Sequence, residues 1–128
     1  MKVLLDTNAF LFFVLNDPKL GAAAKAAIED GGNIVLISPA SYWEIAIKIS
    51  IGKYRLRSPY EEFWTRAMKD NGIEVLPIEL HHTSRLISLP YHHKDPFDRL
   101  MVAQAMAEDI PLLSCDAMLD AYGVRRLW

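Results

Sequence analysis

The sequence has one cysteine, no long hydrophobic run and no large excess of charge of either sign. Cys115 is the only cysteine among 128 residues, which excludes an intramolecular disulfide framework and a zinc cluster built from several thiolates. The longest apolar run, residues 9–15, is far shorter than the roughly 20 residues that span a membrane. No small-residue cleavage site follows it, so we expect a cytoplasmic protein that does not associate with membranes.

The charge balance excludes a protein that binds nucleic acid through positive charge alone. Fourteen Lys and Arg residues stand against 16 Asp and Glu residues, which gives a net charge of −2. A bound divalent cation would reverse the sign of the charge locally, so nucleic acid remains a candidate ligand. The composition, 52% hydrophobic and 23% charged, is typical of globular proteins, and the length predicts a single domain over residues 1–128.

Short apolar runs alternate with helical segments along the whole chain. We predict strands at residues 3–5, 34–37, 74–78, 112–114 and 124–127, and helices at residues 9–15, 20–30, 41–51, 60–71, 82–89 and 96–109. Ser41 is predicted to begin the third helix, and residues 58–61 read as a capping box for the fourth. This alternation predicts a three-layer α/β/α fold with a central parallel sheet of four to five strands.

Four carboxylates occupy comparable positions in this pattern. Asp6 and Asp116 follow predicted strands, while Glu44 and Asp98 fall in the first turns of predicted helices. The carboxyl ends of parallel strands meet at one edge of the sheet, where ligands bind in open sheets of this kind. Four acids brought together there would repel one another unless a cation offset their charge. Ligands that are all oxygen favour Mg²⁺ or Mn²⁺ over zinc.

The acids other than Asp6 also have a purely structural interpretation. Asp95 is a natural N-cap for the helix that begins at the next residue, and Asp116 is placed to cap the short turn that follows it. Glu44 is spaced to pair with Lys48 at i,i+4. Asp6 alone has no obvious structural need for a carboxylate, so it is the strongest functional candidate on physical grounds.

Four segments together resemble the sequence motifs of PIN domains, most closely the VapC-type toxins of bacterial toxin–antitoxin pairs. The segments are residues 4–8 (LLDTN), 41–48 (SYWEIAIK), 89–100 (LPYHHKDPFDRL) and 114–116 (SCD). Their order and spacing cover essentially the whole chain. The third segment is the most specific of the four, while the first alone would be weak.

The resemblance implies a metal-dependent endoribonuclease. Asp6, Glu44, Asp98 and Asp116 match the family's four metal-binding and catalytic acids, with Mg²⁺ or Mn²⁺ as the cofactor. Hydrolysis by an activated water would leave a 5′-phosphate and a 3′-hydroxyl. Supporting roles, in which a side chain orients a water or a carboxylate, are implied for Thr7, Asn8, Ser114 and Asp95. The family often carries Thr where this chain has Ser114, which keeps the hydroxyl. Helix capping is the alternative interpretation for Thr7 and Asn8.

The resemblance also implies an RNA substrate, a cognate antitoxin that inserts a segment into the acidic groove, and a homodimer. Candidate contacts with RNA or antitoxin are Lys48, Lys53, Arg55, His93 and Arg99. Arg99 is also expected to need an acidic partner, either Asp95 or an acid of another protein, because a cation near a helix start is unfavourable unless paired.

Three other interpretations remain open at this stage. A metal-dependent phosphatase is one, although the common Asp-x-Asp motif after the first strand is interrupted because position 8 is Asn. A module that binds a partner without catalysis is the second. The third is a zinc site at the histidine pairs 81–82 and 92–93, for which a ligand of suitable spacing is missing.

Overall fold

The computed structural model describes every residue from Met1 to Trp128, in five strands and six α-helices. The strands are β1 (Lys2–Leu5), β2 (Ile34–Ile37), β3 (Glu74–Val75), β4 (Leu112–Leu113) and β5 (Arg126–Leu127). The helices are α1 (Thr7–Val14), α2 (Ala22–Glu29), α3 (Pro39–Ser50), α4 (Tyr60–Asn71), α5 (Leu80–Ile87) and α6 (Pro96–Glu108), with a 3₁₀ helix at Ala117–Tyr122. None of these helices is both long enough and apolar enough to cross a membrane.

The strands form one parallel sheet in the order β3-β2-β1-β4-β5. The first strand in sequence is therefore the central one, and it pairs with β2 on one side and β4 on the other. Val3 lies opposite Val35, and Leu5 lies opposite both Ile37 and Leu113. All strands point the same way, so the residues that follow β1, β2 and β4 share one edge. The predicted fold is confirmed.

Alternate side chains of β1 belong to the two cores on opposite faces of the sheet. Val3 and Leu5 pack with Phe10 on one face, whereas Leu4 packs with Met101 of α6 on the other. All five side chains are fully buried. A strand buried on both faces needs a continuous apolar sequence rather than an alternating one, which is what residues 3–5 supply.

The third helix begins two residues earlier than predicted. Ser38 is its N-cap, since the Ser38 hydroxyl oxygen accepts a hydrogen bond from the backbone N–H of Ala40, and Pro39 is the first helical residue. Proline is favoured at this position because its backbone carries no N–H to satisfy. Ser41 therefore lies inside α3, and Glu44 lies in its second turn rather than its first.

Other boundaries also differ from the prediction. The predicted capping box at residues 58–61 is wrong, because α4 begins at Tyr60 after Pro59 and no side chain caps it. Instead, a capping box between Glu79 and His82 begins α5 at Leu80. The third and fifth strands are shorter than predicted, at two residues each. Pro77 lacks the N–H that a longer β3 would need.

Candidate metal centre

Asp6 links the central strand to the first helix and is almost completely buried. It follows β1 directly and is the N-cap of α1, where its Oδ1 accepts a hydrogen bond of 2.7 Å from the backbone N–H of Ala9. The expectation that Asp6 has no structural need is therefore wrong. A capping oxygen satisfies one of the unpaired N–H groups at a helix start, and the same carboxylate lies at the sheet edge where the other acids meet.

Glu44 is held by a residue that follows Asp6. The Thr7 hydroxyl donates a hydrogen bond to Glu44 Oε1 and lies 2.9 Å from the Ser41 hydroxyl. Lys48 Nζ lies 3.2 Å from Glu44 Oε2, so the predicted i,i+4 ion pair is present. Neither Thr7 nor Asn8 caps α1, because Asp6 does, and Asn8 is exposed. Thr7 thus orients the Glu44 carboxylate across the gap between α1 and α3.

Asp98 lies in the first turn of α6, as predicted. Asp95 is the N-cap of this helix, and its Oδ1 accepts hydrogen bonds from the backbone N–H groups of Phe97 and Asp98, at 2.8 and 3.1 Å. The structure therefore gives Asp95 the capping role. This cap fixes the start of the helix on which Asp98 is carried.

Asp116 follows β4 and also caps a helix. Its Oδ1 accepts a hydrogen bond of 3.0 Å from the backbone N–H of Met118 at the start of the 3₁₀ helix. The Asp116 backbone N–H in turn donates to the hydroxyl oxygen of Ser114, which is completely buried. The Asp116 side chain is 33% exposed, so one of its faces remains open to solvent.

Two of the other predicted acids lie near enough to Asp6 to raise its pKa. This pKa is raised from 3.8 to about 6, chiefly by burial and also by the negative charges of Glu44 and Asp116, against hydrogen bonds from Ala9 and Ser114 that lower it. A neighbouring negative charge disfavours ionisation only at short range. The carboxylates that follow β1 and β4 and the one on α3 therefore lie close together.

Neighbouring carboxylates, including two of the other predicted acids, also raise the pKa of Asp98. Its pKa is raised from 3.8 to about 7, chiefly by burial and also by the charges of Asp95, Asp6 and Glu44, against a decrease from His93. Perturbed carboxyl groups gathered at one edge are typical of functional sites. All four predicted acids thus converge where the sheet topology predicts.

The donor set fits a divalent cation of the Mg²⁺ or Mn²⁺ class. The four side chains offer only carboxylate oxygens, which these ions prefer. In the protein alone, burial and mutual repulsion oppose the ionisation of Asp6 and Asp98. A cation among the carboxylates would relieve both costs. Asp6, Glu44, Asp98 and Asp116 are the residues that would hold it.

His93 reaches this cluster from the loop that precedes α6. Its Nε2 lies 2.8 Å from Asp116 Oδ2 and 3.8 Å from Asp98 Oδ2. From the sequence, His93 is predicted to contact RNA or antitoxin, with a zinc site at residues 92–93 as the alternative interpretation. The other histidine pair, His81 and His82, lies elsewhere, against Glu108.

The other predicted basic contacts are spread over the surface and the interior. Arg99 is buried, and Nη1 of its guanidinium donates hydrogen bonds to Pro90 O and to the Tyr122 hydroxyl. It forms no ion pair with Asp95, so that expected partnership is wrong. The oxygens of the Pro90 carbonyl and the Tyr122 hydroxyl accept hydrogen bonds from the Arg99 guanidinium instead. Lys53 and Arg55 are exposed and form no ion pair with the four acids.

Comparison with known families and proteins yields consistent matches. The sequence model of the PIN domain family matches residues 3–124. The chain is 33% identical over 84 residues to ribonuclease VapC16 of Mycobacterium tuberculosis, an alignment that covers 61% of this chain. The aligned region spans only 60% of the length of that relative.

Several solved structures share the fold at low sequence identity. VapBC2 of Rickettsia felis, bound to a fragment of promoter DNA, matches with a TM-score of 0.72 at 14% identity over 99% of this chain and 98% of that one. DNA-bound VapBC of Salmonella typhimurium matches with a TM-score of 0.73 at 15% identity, over 99% and 97%. A toxin–antitoxin complex of Klebsiella pneumoniae matches with a TM-score of 0.59 at 19% identity, over 89% and 86%.

Proposed function

Because this chain belongs to the PIN domain family, we propose that it is an endoribonuclease that depends on Mg²⁺ or Mn²⁺ and is the toxin of a toxin–antitoxin pair. The observation that carries the proposal is the convergence of four carboxylates, two of them with strongly raised pKa values, at the carboxyl edge of the sheet. Structural capping alone would not require that these acids be brought together at an electrostatic cost.

A divalent ion held by these four carboxylates would supply the positive charge that polarises a phosphodiester and activates a water molecule. The residues of the chain hold the carboxylates in place for this chemistry. Thr7 fixes the orientation of Glu44, Asp95 fixes the first turn that carries Asp98, and the Ser114 hydroxyl restrains the backbone at Asp116. These supporting contacts are typical of metal sites, where the surrounding hydrogen bonds orient the ligands.

Lys48 is proposed to contact the RNA backbone. Its Nζ lies 3.2 Å from Glu44 Oε2 and its side chain is 40% exposed, so it can contact a phosphate at the mouth of the cluster. Such a contact would be sensitive to salt and largely independent of base sequence. Roles in RNA binding for the exposed Lys53 and Arg55 stay predictions, as do a single domain, a homodimer and a cytoplasmic location.

An antitoxin partner is part of the proposal. Solved structures with this fold include VapBC pairs and a toxin–antitoxin complex, and we extend that property to this chain. A basic side chain of an antitoxin inserted among the acids would offset their charge and compete with the metal ion. Deleting that basic residue from the antitoxin should therefore weaken inhibition, and unchanged inhibition would contradict this part of the proposal.

The test is cleavage of a mixed RNA pool by purified protein in Mg²⁺, in Mn²⁺ or in EDTA. We expect cleavage that requires metal and is lost in both Asp6→Asn and Asp98→Asn, which remove a charge with little change of shape. Asp30→Asn is the matched control, because exposed Asp30 also accepts a backbone hydrogen bond, and it should cleave like the wild type.

The outcome also separates the alternative functions. Hydrolysis of phosphomonoesters without cleavage of RNA would favour a phosphatase. No hydrolysis of either substrate by folded protein free of antitoxin would favour a module that binds a partner without catalysis. Cleavage that survives both Asn substitutions would show that the acidic cluster is not the active site.

A further inference from the structure

The His93 ring lies near both Asp98 and Asp116, and a hydrogen bond at each of its two nitrogens fixes its orientation. Nε2 lies 2.8 Å from Asp116 Oδ2, and Nδ1 accepts a hydrogen bond of 3.0 Å from the backbone N–H of Asp95. The ring therefore spans from the N-cap of α6 to the residue that caps the 3₁₀ helix. It joins two segments that are distant in sequence.

The hydrogen bond to Nδ1 determines where the ring proton lies. A nitrogen that accepts a hydrogen bond uses its lone pair, so Nδ1 carries no proton, and in a neutral imidazole the proton is then on Nε2. The Nε2–H group donates to Asp116. A histidine that ligates a metal must offer a lone pair, and Nε2, the nitrogen that faces the acids, has none to offer. His93 is thus a donor within the cluster rather than a ligand.

The backbone around His93 is anchored as well. Its own N–H donates a hydrogen bond of 2.9 Å to the Tyr122 hydroxyl, which also accepts one of 3.0 Å from buried Arg99. Arg99 further donates to the carbonyl of Pro90. The loop is thereby tied to α6 and to the 3₁₀ helix independently of the imidazole. Removing the ring should leave this anchoring in place.

We propose that His93 is a positioning residue that orients the Asp116 carboxylate for a divalent ion through its Nε2–H group, an inference that rests on the proposed function. Asp116 Oδ1 is already fixed by the backbone N–H of Met118. The bond from His93 fixes Oδ2, so two donors set the rotation of a side chain that is otherwise one-third exposed. Without the imidazole, Oδ2 loses its donor, and only the bond from Met118 to Oδ1 restrains the rotation of the carboxylate.

The test measures Mn²⁺ binding by calorimetry in the absence of RNA, so that it does not depend on turnover. Substitution of an outer hydrogen-bond partner of a metal ligand typically costs about 10- to 100-fold in affinity, and we expect a loss in this range for His93→Ala. His93→Gln, whose amide N–H can reach the position of Nε2, should recover most of the affinity. His92→Ala is the matched control, since His92 contacts the Tyr122 ring and not the acids.

A double-mutant cycle tests whether His93 acts through Asp116. If it does, His93→Ala should weaken Mn²⁺ binding no further in a protein that already carries Asp116→Asn. In the intact protein, nitrogen NMR of the His93 ring should show a protonated Nε2 and an unprotonated Nδ1, both before and after addition of Mg²⁺. This spectroscopic result does not depend on whether the alanine variant folds.

Three results would overturn the inference while leaving the proposed function intact: wild-type affinity in His93→Ala, a further loss in the double variant, or a proton on Nδ1. In each case the wild type would still bind Mn²⁺ and cleave RNA. A wild-type protein that neither binds Mn²⁺ nor cleaves RNA would instead contradict the proposed function itself.

Discussion

Replacing Asp6 by Asn should stabilise the protein in the absence of metal. The substitution removes the charge but keeps an oxygen that can accept the hydrogen bond from Ala9, so the cap of α1 survives. The neutral amide is not repelled by the carboxylates of Glu44 and Asp116. The hydrogen bond from Ser114 weakens when the charge is lost, but the larger cost of burying that charge is removed with it.

The expected size follows from the raised pKa of Asp6. A carboxyl group whose pKa is higher in the folded protein than in the unfolded chain binds more protons when folded, so the free energy of unfolding falls as the pH rises. A rise from 3.8 to about 6 corresponds to about 3 kcal/mol at pH 8. The penalty should disappear below about pH 4, where Asp6 is protonated in both states.

The assay is urea unfolding in EDTA at pH 4 and pH 8, followed by circular dichroism. Asp6→Asn should exceed the wild type by about 2–3 kcal/mol at pH 8, and by much less at pH 4. Asp30→Asn, which removes an exposed charge, should differ from the wild type by less than about 0.5 kcal/mol at either pH. If Asp6→Asn proves no more stable than the wild type at pH 8, the electrostatic cost assigned to the cluster is wrong.

Three further predictions concern metal, caps and packing. Mn²⁺ at 100 times its dissociation constant should raise the free energy of unfolding of the wild type by about 2.7 kcal/mol, and a thermal shift that persists in EDTA would contradict this. Asp95→Ala should lower the free energy of unfolding, measured by urea titration, by about 1–2 kcal/mol through loss of the α6 cap. Asp95→Asn keeps a capping oxygen and should retain most of that stability. Gly21→Ala should destabilise by about 1–3 kcal/mol, because a Cβ there would lie 2.5 Å from the Trp128 backbone. Gly31→Ala, which meets open space, is the control, and equal melting temperatures for the two variants would refute the clash.

Much of the fold was predictable because the signals that determine it are local. The apolar run at residues 3–5 fixed the central strand, and the Asp95–Pro96 pair marked the start of α6. A similar pair, a capping residue followed by proline, occurs at Ser38–Pro39 and would have given the correct start of α3. At residues 58–61, by contrast, an equally plausible local pattern did not become a cap.

The positions of the four acids were predictable, but the contacts that orient them were not. The carboxyl ends of parallel strands share one edge of the sheet whatever the strand order, and this brings Asp6 and Asp116 together. The bond from Thr7 to Glu44 and the one from His93 to Asp116 join segments far apart in the chain. Their formation depends on side-chain rotamers in the folded state, for which a single sequence carries no local signal.

The central position of β1 has a consequence for how the protein is made. Within this sheet, β1 is synthesised before the other four strands, yet one of its two neighbours is β4, which is made only after β2 and β3. Because Asp116 lies beyond β4, synthesis that stops before that point yields a chain with an open sheet edge and an incomplete set of acids. The cluster is complete only once Asp116 has been made, so a polypeptide that stops earlier should be prone to aggregate and, under the proposed function, unable to cleave RNA.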